Sequence, residues 1–291
     1  MSPELAPTPD HDWITVQVAM QAGESMAPLL PLGDSAAYLW IPKNGCTTLK
    51  RAWLVALGPW SVDAAAEPIH LDVHGAVLPY THWRSPDQLA ATARQRQVVA
   101  VWRDPVERFV SACRSHLVEL TTSRILAKLR NASSSGQDFE RCVAVHDALF
   151  RRHGVRSYDD DSDPAAMMNR VALELPRWIP CHIDWSHHTL PQTAFLGGDP
   201  ALIHDLVPME AINDLVRHWS QAAGRPIPPA PLHVSAGQAA VDPFRRLAVS
   251  DLTPEALTAL ETFYAADRLF LQRWSALHAG LPSGWTPQQA R

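Results

Sequence analysis

Lys43, Asn44, Gly45, Cys46, Thr47 and Thr48 stand in a row inside "WIPKNGCTTLKRAWLVAL" (40–57), between an apolar run and a helical pattern. Short side chains, a glycine and two hydroxyls let a backbone close around a phosphate. The unpaired N–H groups of a following helix add the positive end of its macrodipole. The lysine is out of its usual place, because phosphate loops of the GxxxxGK[ST] kind close on their lysine and this one opens with it. Taken alone, the stretch reads better as a turn with an N-cap. A second stretch, "VWRDPVERFVSACRSH" (101–116), sets Arg103 at a strand end and Ser111 two turns into the following helix. That spacing lets both reach one anion, although Asp104 and Glu107 are also within reach of Arg103. Two phosphate-ready loops on successive strand ends carry more weight than either alone.

Other chemistries fit less well. Cys46 at the head of a helix has the setting of a lowered-pKa nucleophile, but a phosphatase-type loop needs C-x₅-R and Cys46 to Arg51 gives C-x₄-R. A small loop residue is the simpler reading. "CHIDWSHH" (181–188) gathers Cys181, His182, Asp184, His187 and His188 without the separated second pair that zinc sites use, so no metal is expected. Of the 11 tryptophans, Trp53 and Trp102 fall on apolar faces and read as core. Trp83 and Trp185, beside polar and histidine-rich segments, are the two expected to touch an acceptor.

The elements that must position these residues follow from periodicity. "SAAYLWI" (35–41) and "QVVAVW" (97–102) read as buried strands. Helices follow at about 47–57, with Leu49, Trp53, Leu54 and Leu57 on one face, and from Pro105, with Phe109, Val110, Cys113 and Leu117. Strand, loop and helix, repeated, predict an α/β fold with a parallel sheet and helices on its faces, its ligand sites at the carboxyl ends of the strands. Residues 1–34 read as an irregular arm, 35–278 as a single domain and 279–291 as a tail. A Ser/Gly run and an acidic run make 131–165 a mobile insertion around a helix at 138–152. Further helices are expected at 165–175, 208–222 and 253–278, with a proline-rich loop at 224–237.

The totals set bounds. A chain of 291 residues with 46% hydrophobic and 19% charged residues can bury a sizeable core. A formal net charge of −5 gives no electrostatic reason to expect nucleic acid or an anionic membrane as partner. Lys43, Lys50 and Lys128 are the only lysines, and two of them lie in the first loop and its helix. Four scattered cysteines suit reduced thiols inside a cell. With no signal-peptide pattern and no apolar run of spanning length, the expected compartment is the cytoplasm.

The two loops together resemble the nucleotide-binding motifs of sulfotransferases that use 3′-phosphoadenosine-5′-phosphosulfate (PAPS). "IPKNGCTTLKR" is similar to the family's 5′-phosphosulfate loop and "VVAVWRDPVERFVSACRSH" to its 3′-phosphate motif, closest to the carbohydrate-type branch. "HHTLPQTAFLG" (187–197), "HDLVPMEAINDL" (204–215) and "LETFYAADRLF" (260–270) resemble later segments of that branch. The resemblance implies a single P-loop-like domain that transfers a sulfuryl group in line to an acceptor hydroxyl, with PAPS as donor, PAP as product and no metal required. It implies that Asn44, Gly45, Cys46, Thr47 and Thr48 hold the 5′-phosphate, and that Arg103 and Ser111 hold the 3′-phosphate. Lys43 stands at the bridging oxygen that gains charge as the S–O bond breaks. It also puts His188 and Gln192 beside the cleft, with Glu210 further on, without fixing their roles.

In-line transfer needs a base, worth roughly 10²–10⁴ in rate. His70, His74 and His82 lie between the loops. "PYTHW" (79–83) resembles the family's Y-x-H segment, which selects His82, with His74 in reserve and Glu67 as the carboxylate option. The expected acceptor is a small molecule, glycoconjugate or secondary metabolite, because an acidic protein suits a polyanion poorly. The alternatives are a P-loop nucleotide kinase, which lacks its lysine after the glycine and its Mg²⁺ ligands here, and a non-catalytic nucleotide-binding protein.

Overall fold

The structure is a computed structural model that describes residues 16, 19, 20, 22–58, 73–225, 227 and 242–279. These fall into two compact units. The first takes the chain up to Arg103, the segment from Pro191 onward and the chain from Ala266. The second takes Asp104–Leu190 and the segment that ends at Ala265.

The first unit holds a five-stranded sheet. β1 (Ala27–Leu32) and β2 (Ala36–Leu39) form a hairpin, and α1 (Cys46–Ala56) follows β2. After the short helix α2 (Val73–Val77) come β3 (His82–Arg84), α3 (Pro86–Ala93) and β4 (Gln97–Trp102). The strand order is β3-β1-β2-β4-β5, where β5 is Asp205–Pro208. β2, β4 and β5 run parallel, as a strand–loop–helix repeat requires, while β1 pairs antiparallel with both β2 and β3. The expectation of a wholly parallel sheet is therefore corrected to a mixed one, and that of an irregular arm through residue 34 gives way to β1. Pro28 and Pro31 disguise that strand, since proline lacks a ladder donor. β3 pairs only with Ala27, Pro28 and Leu29, so Pro31 has a ladder neighbour on one side alone.

Helix formation follows the apolar spacing. α1 buries Leu49, Ala52, Trp53 and Leu54, and the Trp53 indole donates to the Pro31 carbonyl at 2.7 Å. Burying side chains of this size is worth about 1.5–3 kcal/mol each. Lys50 is buried on the same helix, its ammonium 3.2 Å from the Trp40 ring centroid. The expected helix at 208–222 appears as a 3₁₀ turn, Met209–Ala211, leading into a longer helix, Ile212–Ala223.

The second unit is helical. α4 (Pro105–His116), α5 (Thr122–Ala132), α6 (Gly136–His153), α7 (Pro164–Trp178) and α8 (Ile183–Thr189) lead back to the first unit, where α9 (Thr193–Leu196) precedes β5 and α10 (Ile212–Ala223) follows it. The single helix expected at 253–278 is two, α11 (Pro254–Phe263) and α12 (Ala265–Leu277), broken at Tyr264. Within the second unit the Tyr264 hydroxyl donates to the Thr189 carbonyl at 2.7 Å, and Asn169 of α7 bonds the backbone ahead of α11 at Asp251 and Thr253. Within the first, Trp102 stacks on Phe270 of α12, and Trp274 donates to the Ile203 carbonyl.

Candidate active site

The loop after β2 is built around a strained lysine. Asn44 N–H donates to the Ile41 carbonyl at 3.2 Å, closing a β-turn with Pro42 second and Lys43 third. Lys43 has φ 68°, the only non-glycine among the described residues in the left-handed region. That third position of a type II turn normally takes glycine, and a side chain there costs roughly 1–2 kcal/mol. Two residues on, Gly45 is also left-handed, with φ 67°. A Cβ on Gly45 would overlap Ile212 Cδ1, so a larger residue would be strained in conformation and would have to displace that side chain. Gly45 is the N-cap of α1 and offers the helix no side-chain acceptor. In the first turn, Cys46 is buried, Thr47 exposed and Thr48 half-buried.

Gln192 ties this loop to the one after β4. Asn44 and Gln192 are both fully buried. Asn44 Nδ2 donates to the Gln192 Oε1 at 2.5 Å and to the Val101 carbonyl at 2.8 Å. The same Oε1 accepts from the Arg103 N–H at 3.3 Å, and Gln192 Nε2 donates to the Arg103 carbonyl at 2.9 Å. Arg103 completes the circuit by donating from Nη1 to the Lys43 carbonyl at 3.1 Å. Behind it, the buried Asp267 of α12 accepts from the backbone N–H groups of Gln192 and Thr193, both at 2.9 Å. Each of these bonds to a carboxylate is worth about 1.5–3 kcal/mol. The circuit leaves Asn44 Oδ1 buried with no hydrogen-bond partner among the described residues. Neither Gln192's bridging role nor Asp267 emerges from the sequence reading. The available signal was an acid on an otherwise apolar helix face, three residues before Phe270.

The second loop enters α4 differently. Asp104 caps it, its Oδ1 accepting from Val106 N–H at 2.9 Å and Glu107 N–H at 3.1 Å. Pro105 fills the first helical position. Phe109, Val110 and Cys113 of α4 are buried as their spacing predicts, while Ser111 is half-buried on the same helix. Arg103 belongs to the first compact unit and Ser111 to the second.

His82 heads edge strand β3. The register puts it in one row with Leu29, Leu39, Ala100 and Leu206, so these side chains share a face of the sheet. Leu39 is the last residue of β2, so His82 sits at the level from which the first loop departs. It lines a cavity of about 370 Å³ with Arg84 and Arg96, and none of the lining residues comes from the two loops. His74 lies in α2, but its side chain is not among those described, and His70 and Glu67 lie outside the described residues.

Trp83 and Trp185, expected to face an acceptor, are core residues instead. Trp83 is buried edge-on against Trp40, and Trp185 against Phe109. Their polar sequence neighbours misled because strand alternation and helix periodicity turn the indoles inward. In the histidine-rich segment, His182 caps α8 by accepting the Trp185 N–H, and Cys181 donates to the Arg177 carbonyl. Burial pushes the Cys181 thiol up to about 11, which opposes the thiolate a metal would need. His188 stacks on His116 with ring centroids 3.9 Å apart. Glu210 is exposed in the 3₁₀ turn after β5. Among the described residues no three His, Cys, Asp or Glu side chains are grouped to hold a metal, no disulfide forms, and no helix is long and apolar enough to cross a membrane.

Comparison with known proteins gives one match. The model of a family described as "Sulfotransferase family" matches residues 33–223, about two-thirds of the chain, covering both loops and Gln192. No curated protein and no solved structure matches.

Proposed function

The chain belongs to the sulfotransferase family, and from that premise we propose that it is a PAPS-dependent O-sulfotransferase acting on a small-molecule or carbohydrate hydroxyl. The observation that carries the reading is the strained lysine turn delivered straight into a helix whose N-cap is a glycine with no side chain. Strain held in place by its surroundings concentrates where geometry serves function. The residues fit the donor's 5′ end: the left-handed Gly45 leads the loop into α1, and the α1 N-terminus offers N–H donors to an anion.

PAPS supplies an activated sulfuryl group attached through a phosphosulfate oxygen. In this reading the backbone from Asn44 to Thr48 and the Thr47 and Thr48 hydroxyls hold the 5′-phosphate. The Lys43 ammonium balances the charge that grows on the bridging oxygen, so electrostatic stabilisation comes from a side chain fixed by its turn. Arg103 contacts the 3′-phosphate, with Gln192 as the brace that keeps Arg103 and Asn44 in register. His82 takes the acceptor's hydroxyl proton. Its place in the row that ends β2 supports this choice, because an acceptor lying along that face would approach the loop from the sheet side.

Thermal denaturation with PAP, ATP and AMP, without Mg²⁺, tests the donor. PAP at about one hundred times its Kd should raise Tm by about 5–10 °C, with ATP and AMP giving much less. Equal shifts from ATP and PAP would discard the reading in favour of a general nucleotide site.

A further inference from the structure

The cavity beside His82 has two unlike walls. Leu29, Pro31 and Ala37 from the sheet and Ala91 from α3 give it an apolar floor. Its rim carries Arg84 and Arg96, with His82, Gln88 and Thr92 beside them, and no carboxylate lines it. Strand alternation explains the arrangement: Leu29 and Pro31, Ala37, and His82 and Arg84 all project from the same sheet face, under α3. Arg84 and Arg96 are half-buried, and neither guanidinium forms an ion pair or hydrogen bond among the described residues. Two such guanidiniums above an apolar floor are an uncompensated positive rim in a protein of net charge −5. At about 370 Å³ the cavity lies within the range of small-ligand pockets and admits a single-ring molecule.

We propose that this cavity is the acceptor subsite and that the acceptor is a small amphipathic acid, with a ring-sized apolar body and one anionic group. This rests on the sulfuryl-transfer reading with His82 as base. The anionic group pairs with Arg84 and Arg96, in the bidentate geometry that guanidinium favours. The apolar body lies on Leu29, Pro31 and Ala37, and the hydroxyl is left beside His82, which shares its row with Leu39, the last residue of β2. In the transfer, the acceptor oxygen forms the new S–O bond, the bridging S–O bond to PAP breaks, and the hydroxyl proton passes to His82.

The test uses the full chain with three single-ring phenols: 4-hydroxyphenylacetate, its neutral amide and the cationic tyramine. Binding is read by saturation-transfer NMR, and the PAP-induced Tm shift is recorded on the same samples. The acid should bind about tenfold or more tighter than the amide, with tyramine weakest. An Arg84→Gln/Arg96→Gln variant should remove that preference while keeping its own Tm and its PAP shift, which shows that fold and donor site are intact. Equal binding of acid and amide, or an acid preference that survives the double substitution, overturns the proposal. Acid binding through the two arginines without any PAP shift removes the acceptor role and the sulfuryl-transfer reading together. A PAP shift without acid preference removes only the cavity's assignment.

Discussion

The loop after β2 reaches its helix through two left-handed residues and a glycine N-cap, whereas the loop after β4 reaches its helix through Asp104, which accepts from Val106 and Glu107. Every helix begins with N–H groups that have no partner in the helix itself. At α4 the protein satisfies them with its own carboxylate, a cap worth about 1 kcal/mol. At α1 the N-cap is a glycine with no side chain to accept them, and the protein holds a strained lysine as well. The two loops look alike in sequence as strand-end anion motifs, yet their backbones are not equivalent. In the reading proposed above, an anion at the first loop meets backbone donors, whereas at the second the helix terminus is already occupied by Asp104. Stability is given up at one loop and gained at the other, and a functional loop is where a loss is expected.

Substitutions can break this contrast. Lys43→Ala should have the largest effect, lowering turnover by about 10²–10³, as loss of a transition-state charge partner does, with the PAP-induced Tm shift largely retained. Lys43→Gly separates charge from strain. It should lower turnover equally yet leave the protein as stable as the Ala variant or about 1 kcal/mol more so, read by urea denaturation. Wild-type turnover in either variant would remove Lys43 from the chemistry. Next comes Gly45→Ala, which must place a Cβ against Ile212 at a left-handed position. A loss of about 2–4 kcal/mol and of PAP binding is expected. The smallest effect belongs to Asp104→Ala, about 0.5–2 kcal/mol of stability with PAP binding weakened far less than in Gly45→Ala. If both substitutions weaken PAP alike, the loops are equivalent after all and the contrast is empty.

Much of this was legible in the sequence. The apolar run 97–102 is β4 to the residue, and the apolar stripe of α1 gave its start within one residue of the observed Cys46. These features are local, because strand alternation, helix period and Pro105 at a first helical position need no distant partner. What escaped was non-local. β1 is held by two neighbours that override its prolines, and Trp83 and Trp185 are buried by packing their sequence neighbours do not report. Gln192 gains its meaning only when the chain returns beside Asn44, 148 positions away. The φ of Lys43 was equally hidden, although Ile-Pro-Lys-Asn has the outline of a turn with its second residue preset by proline.

The Asp267 bond to Gln192 also places the loops in time. Asp267 follows Gln192 by 75 residues, and it lies beyond the end of the family match at residue 223. At about 5–20 residues per second, a ribosome needs roughly 4–15 s to make that stretch. During that interval the Pro191–Thr193 segment lacks the carboxylate that holds its backbone, so the brace between the two loops is completed only after α12 has been made. A helix made late is thus the closing step for residues read much earlier. A nascent chain that halts before Ala265 carries both motifs without the bond that fixes their spacing.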